Sequence, residues 1–290
     1  MPKFNFNTPF EALQWASLRF KEQGIVPEEA RYLLMEQLGW NQTQLLSNYR
    51  NPLTTTQLTQ FKQNVKRREQ GEPAQYILGH APFYGLDLQV SPAVLIPRPE
   101  TEELVDWVLK DHPEPQLHVL DVGTGSGAIA LALKQNRTGW TVAASDIAAD
   151  ALTVAQQNAQ KLGLPVTFWH SDLLKTIPAQ RFDVLVANPP YIASSEVNVM
   201  DQIVLDHEPV TALFAKHHGL ALYEQLVQTV APYLTTTGQV YLEIGYRQGP
   251  AVVQLWRHQF PTAQIEVRQD LAGHDRMVRI QLQERDNNGN

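Results

Sequence analysis

The run Phe182-Asp183-Val184-Leu185-Val186-Ala187-Asn188-Pro189-Pro190-Tyr191 is short, apolar and β-branched until it stops on two prolines. That pattern predicts a buried strand with an abrupt end. Neither proline can donate to a strand ladder, and each fixes its own φ at about −65°. Pro189 also biases Asn188 away from helix. The prediction is a stiff elbow at the carboxyl end of a strand, where open α/β sheets bind their ligands. An asparagine side chain offers a carbonyl acceptor and an NH2 donor. The Pro189 carbonyl is a second acceptor beside it. Two adjacent acceptors can hold both N–H groups of a planar –NH2 and aim its nitrogen at an electrophile. Tyr191 can then pack its ring on the held group. Four residues alone also fit a proline-stiffened loop with no chemistry.

A second motif upstream changes the balance. His118-Val119-Leu120-Asp121-Val122 reads as a strand that runs into Gly123-Thr124-Gly125-Ser126-Gly127, and Ala128–Leu133 opens a helix. Glycine there permits tight turning and close approach of a ligand to the backbone. The helix start favours an anionic part of that ligand. Asp146 lies 19 residues beyond Gly127, at the end of the next predicted strand, where an acid commonly takes ribose hydroxyls. The third glycine comes one residue too early for a dinucleotide fingerprint, and a mononucleoside fits at least as well. A nucleoside with an electrophilic carbon, next to a site that presents an –NH2, points to S-adenosyl-L-methionine, with S-adenosyl-L-homocysteine as product.

Around these motifs, strand and helix patterns alternate from Leu117 to Leu282, which predicts a parallel sheet covered on both faces. Residues 1–80 read instead as a small helical bundle. Thr8, Pro9 and Glu11 form a capped start, Pro27 to Leu38 a second helix, and Thr54 a cap for a third that runs to Gln70. The basic run Lys62, Lys66, Arg67 and Arg68 reads as a solvated helix end, with a docking patch as the alternative. Residues 81–95 alternate around Gly85 and are read as a β-hairpin linker. The domain division expected is therefore 1–80, 81–95 and 96–290.

Composition narrows the chemistry. Among 290 residues there is no cysteine, which excludes disulfides, thiolate metal sites and cysteine nucleophiles. The opening Met1–Asn7 is polar and broken by proline, and no apolar run approaches the ~20 residues that span a membrane. A cytoplasmic protein is expected. Net charge is −7, yet residues 1–80 hold nine basic and seven acidic side chains while the remainder holds 14 and 23. An acidic catalytic half disfavours a nucleic-acid substrate. His217 and His218 read as a loop pair rather than metal ligands. Arg98 and Glu100 are read as lining the substrate mouth or pairing with each other, and Glu243 either as an acid behind the site or, equally, as a strand-end hydrogen-bonding residue.

The chain as a whole resembles the protein-(glutamine-N5) methyltransferases that act on bacterial release factors. The likeness rests on Pro73–Gly79, Phe83-Tyr84-Gly85, Leu95-Ile96-Pro97-Arg98-Pro99-Glu100-Thr101-Glu102, Asp121–Gly127, Asn188–Ile192, Glu208-Pro209, Glu243-Ile244-Gly245 and Asp270–Arg276. Asn-Pro-Pro-Tyr alone is shared with DNA adenine and RNA guanine methyltransferases, whereas the run around Pro97–Glu102 joined to a helical N-terminal region is far more specific. The resemblance implies a class I S-adenosylmethionine-dependent methyltransferase fold, Rossmann-like, with seven strands and the last antiparallel. It implies methyl transfer to the glutamine of the Gly-Gly-Gln motif in class 1 peptide chain release factors. By the same resemblance, Gly123–Gly127 lies along the methionine part of the cofactor and Asp146 takes the ribose. Asp172 and Leu173 border the adenine, where relatives often carry an aromatic ring. Asn188 and the Pro189 carbonyl grip the amide, Pro190 and Tyr191 complete the substrate contact, and the N-terminal bundle recognises the release factor. A monomer that meets neither membrane nor nucleic acid is expected. The rival readings are a ribosomal-protein glutamine, a nucleic-acid amino group, and a cofactor-binding assembly factor without catalysis.

Overall fold

In the computed structural model, residues 6–282 are described, and their contacts form two units. One runs up to His80 and includes Gln202–His207. The other holds Ala81–Asp201 and Glu208 onward.

The first unit is built from α1 (Pro9–Glu22), α2 (Glu29–Leu38), α3 (Gln42–Ser47), α4 (Thr55–Glu69) and α5 (Ala74–Leu78). The capping signals act as read. Thr8 and Glu11 form a reciprocal capping box at α1, Thr54 and Gln57 form one at α4, and Gly39 closes α2 in the left-handed region. Phe20, Leu33, Leu34, Leu45, Phe61 and Val65 form its core. The basic run is solvated at Lys62 and Lys66, as read, while its arginines are paired within this unit. Arg68 is buried and pairs with Glu29 at 2.6 Å, Arg67 pairs with Glu72 at 2.5 Å, and the Lys62 ammonium sits 4.5 Å from the Phe6 ring centre.

The hairpin follows as β1 (His80–Phe83) and β2 (Leu86–Gln89). It is no free linker. Phe83, Leu86 and Leu88 enter the core of the second unit, and Asn158 hydrogen-bonds both backbone groups of Gln89. Then come α6 (Pro99–Asp111), β3 (His118–Val122), α7 (Ala128–Asn136), β4 (Thr141–Asp146), α8 (Ala149–Leu162), β5 (Val166–His170) and β6 (Phe182–Ala187). The long connection carries α9 (Gln202–His207), which groups with the first unit, and α10 (Val210–Leu213). The chain finishes with α11 (Ala221–Thr229), β7 (Leu234–Glu243), α12 (Gly249–Gln259), β8 (Gln264–Gln269) and β9 (Asp275–Gln281).

The seven strands lie in the order β5-β4-β3-β6-β7-β9-β8. β3 pairs in parallel with β4 and β6, β6 with β7, and β9 runs antiparallel to both neighbours. Alternate residues feed the two faces. Val119, Val184 and Val186 pack under α6, α7, α8 and the hairpin, while Leu120, Leu185 and Ala187 pack under α11 and α12. This is the class I methyltransferase arrangement expected from the sequence. Strand order reverses between β3 and β6, so the loops after these two strands face the same crevice.

Candidate active site

A cavity of about 480 Å³ opens at that reversal. Its wall includes Gly123, Thr124, Gly125 and Ser126 after β3, Asp146 at the end of β4, Asp172 and Leu173 after β5, and Asn188, Pro189 and Pro190 after β6. Gly127 caps the helix behind it, and Ala128 and Ile129 open α7 on the wall. The sheet therefore brings together residues read from four separate strand ends.

The glycine loop is pinned from both sides. Gly123 and Thr124 each donate a backbone N–H to the Ser145 carbonyl, at 2.8 and 2.9 Å. Gly125 donates to Asp146 Oδ2 and Ala148 to Asp146 Oδ1, both at 2.9 Å. Gly123 and Gly125 take φ of +75° and +56°, and a Cβ on either would point into open space. The backbone itself is thus the surface that a ligand meets. Asp121, which carried no role of its own in the sequence reading, lies fully buried under the loop. Its Oδ2 accepts from the Thr124 hydroxyl at 2.6 Å and from the Ala130 N–H at 3.2 Å. Burial pushes its pKa up to about 7 against those two bonds. The signal for it was present in the sequence, as an acid inside an otherwise apolar strand.

Leu173 borders the cavity with φ of +51°, a conformation that a branched side chain rarely takes. Asp172 holds Lys175 at 2.5 Å. Arg98 lines the cavity and pairs with Glu208 at 2.5 Å, so its partner is not Glu100. Burial raises the Glu208 pKa against that guanidinium. His217 and His218 both take positive φ in the loop before α11, and His217 reaches Glu224 on that helix.

The elbow has more support than its prolines supply. Asn188 Nδ2 donates to Thr101 Oγ1 at 3.0 Å, and that hydroxyl donates to Glu243 Oε2 at 2.6 Å. Tyr191 is turned away from its expected place. It is not among the cavity-lining residues; its hydroxyl lies 3.4 Å from Glu243 Oε1 and its ring packs near Gly245. Burial, then the charge of Glu243, raises its pKa. Gln248 was not singled out by the sequence. Its Nε2 donates to the Tyr191 carbonyl at 2.8 Å while its Oε1 accepts from Gly245 N–H at 2.9 Å. Next to that carbonyl the chain needs Gly219, where a Cβ would lie 2.0 Å from the Tyr191 oxygen.

Residues 11–79 match the PrmC N-terminal domain family, and residues 101–210 the methyltransferase small domain. The release factor glutamine methyltransferase of Enterococcus faecalis is 43% identical over 93% of this chain and 97% of its own length. The chain belongs to that family. The Lactococcus lactis member is 44% identical over 85% of this chain and 89% of its own. A Pyrococcus furiosus methyltransferase crystal structure is 15% identical, covers 79% of this chain and 98% of its own, and has a TM-score of 0.52, a likeness of fold alone. The elbow after β6 and the loop after β3 line one cavity in this member of the family.

Proposed function

We propose that this protein methylates the side-chain amide nitrogen of the glutamine in the Gly-Gly-Gln motif of class 1 release factors, with S-adenosyl-L-methionine as methyl donor. The observation that carries the reading is the single cavity walled by both the Gly123–Gly127 loop and Asn188-Pro189. Its volume falls within the range usual for small-molecule sites. The residues present fit the cofactor. The loop backbone would lie along its methionine part, with the start of α7 favouring the carboxylate. Each Asp146 oxygen keeps a free lone pair for a ribose hydroxyl, and Asp172 and Leu173 would border the base. When bound, the cofactor supplies a methyl group on a positively charged sulfur.

An amide nitrogen is a poor nucleophile because its lone pair is delocalised, so placement must carry much of the rate. Placement can be worth roughly 7–11 kcal/mol in favourable cases. Asn188 Oδ1 and the Pro189 carbonyl would accept the two N–H groups of the glutamine amide. That holds the nitrogen toward the methyl and drains the positive charge that grows on N–H. Pro189 and Pro190 keep the two acceptors rigid. Tyr191 serves this grip from behind, through Glu243, rather than by stacking on the amide. The helical unit would recognise the release factor, and the enzyme would act as a cytoplasmic monomer with no nucleic-acid substrate. No helix among the described residues is long and apolar enough to cross a membrane.

The deciding assay follows tritiated methyl transfer from the cofactor to purified release factor, RNA or DNA. Label should enter release factor alone. Asn188→Ala should lose most turnover, about 100-fold or more, while it still binds S-adenosylhomocysteine. Full turnover in that variant, or label in nucleic acid, defeats the reading.

A further inference from the structure

Thr101 and Glu243 lie 142 residues apart in sequence, yet their side chains meet directly behind Asn188. Both are buried, at 5% and 1% exposure. Thr101 reaches the cavity wall beside Arg98 while Glu243 stays behind it, and neither offers a group that attacks or transfers a methyl. Their arrangement nevertheless constrains the one side chain that the reaction depends on.

A threonine hydroxyl has one proton and can also accept. An ionised carboxylate can only accept. At 2.6 Å from Glu243 Oε2, the Thr101 hydroxyl must spend its proton on that oxygen. It can then only accept from Asn188, so the amide atom 3.0 Å away has to be the NH2. The carbonyl end of Asn188 is left for the cavity. A flipped amide would set a lone pair against a lone pair at Thr101. It would also face the cavity with donors, where a substrate –NH2 needs an acceptor.

We propose that Thr101 and Glu243 are positioning residues: the Glu243 carboxylate, through the Thr101 hydroxyl, fixes which end of the Asn188 amide faces the substrate. This rests on the reading that Asn188 accepts from a substrate –NH2. The device works only while Glu243 is ionised. Once protonated, Glu243 can donate as well as accept, Thr101 is free to turn its own proton toward Asn188, and the flipped amide costs nothing extra.

The groups that face Glu243 decide where this happens. Thr101 and Glu100 come from α6, Tyr191 from the turn after β6, Tyr223 from α11 and Arg276 from β9. Burial is the largest influence and raises the carboxyl, Thr101 and Arg276 lower it, and Glu100 raises it again, to about 7 in all. Tyr223 donates to the Glu243 backbone carbonyl at 2.7 Å and fixes that residue in place. Methyl transfer should therefore fall on the acid side of neutrality, although a glutamine amide does not titrate there.

The test is the single-turnover rate of the full-length protein with release factor and cofactor from pH 5.5 to 8.5, with S-adenosylhomocysteine affinity measured alongside. The wild-type rate should fall as pH drops through an apparent pKa near 7 and level off at a lower plateau, where both amide orientations are populated, with cofactor affinity unchanged. Glu243→Gln should flatten that profile and lower the plateau. Thr101→Val should lower the rate about 10–100-fold at pH 8, and Thr101→Ser should restore most of it. A flat wild-type profile overturns the proposal, and so does a Thr101→Val protein that is folded and fully active. If Thr101→Val fails to fold, the comparison of wild type with Glu243→Gln decides alone. Activity that survives in Asn188→Ala would defeat the underlying reading. Loss there, combined with indifference at Thr101 and Glu243, would defeat only the relay.

Discussion

Gly219→Ala is the sharpest probe of how the elbow is held. The residue has φ of +84°, and an alanine there costs about 1–2 kcal/mol for left-handed backbone alone. The new Cβ would stand 2.0 Å from the Tyr191 carbonyl oxygen, 2.9 Å from its carbon and 2.5 Å from Gln248 Nε2. Two of those atoms are backbone and cannot rotate aside. Tyr191 must shift by about an ångström, and the bond from Gln248 breaks with it. Overpacking of this kind costs roughly 1–3 kcal/mol and the lost bond about 1 more. The sum is about 3–6 kcal/mol, a fall in Tm of roughly 6–24 °C for a unit of this size. A misplacement of that order at the elbow should also lower turnover about 100-fold. Gly163→Ala is the matched control. Its φ is +65° and nothing lies within 4 Å of its Cβ, so it should lose only about 1–2 kcal/mol and no turnover. Calorimetric melts and single-turnover rates of both variants suffice. If the two behave alike in both measurements, close approach at Gly219 is not what fixes the elbow.

Asn158→Ala should cost roughly 2–5 kcal/mol in urea melts, because its buried amide serves Gln89 N–H and carbonyl and the Ser126 carbonyl together. S-adenosylhomocysteine titration should also weaken severalfold as the glycine loop loses that tie, and an unchanged affinity would count against it. Asp121 has a folded pKa of about 7, raised from an ordinary value of 3.8. A raised carboxyl means that the folded state binds more protons, so its contribution to stability is full below about pH 4 and is lost as pH rises through 7. Asp121→Asn should therefore shrink the loss of stability between pH 5 and 7.5 by roughly 2–4 kcal/mol; an unaltered slope in denaturant melts would refute the assignment.

What was legible in the sequence was local. The apolar run before Asn188, the glycines after Val122 and the acid at 146 each announce themselves within a few residues, and a parallel sheet then has few ways to place them. The capping boxes at Thr8 and Thr54 are equally local. So was the one at Asn41 and Gln44, which starts the overlooked α3. It was missed because only six helical residues follow, too few for a periodic stripe. The apolar pattern predicts a strand only from Gln239, but β7 begins at Leu234, since Thr235, Thr236 and Thr237 carry the strand on without alternation. Glu243 was legible as a strand-end acid, but the pairings behind the elbow were not, for a different reason. Gln248 meets Tyr191 across 57 residues and Thr101 meets Glu243 across 142. Nothing at either end of such a pair signals the other. Tyr191 was misread on the same account, because the partner that turns its phenol away is a buried acid on a later strand.

The chemistry explains why so much hydrogen bonding converges behind so few contact atoms. A nucleophile that cannot be strengthened by deprotonation leaves placement as the main lever, and placement is only as good as the stiffness of the acceptors. Prolines fix φ at residues 189 and 190 but leave ψ, the Asn188 side-chain torsions and the direction of the Tyr191 carbonyl undetermined. Each of these freedoms is removed by a different element. Thr101 on α6 settles the amide, Gln248 at the start of α12 settles the carbonyl, and the bridge from Ile192 to Phe214 settles the chain beyond. A loop of the same sequence without those supports would present the same four residues and hold an amide in many poses. The elbow motif is thus shared with methyltransferases of other substrates because it supplies two acceptors. In this chain the same elbow is backed by a scaffold that restrains the direction of those acceptors.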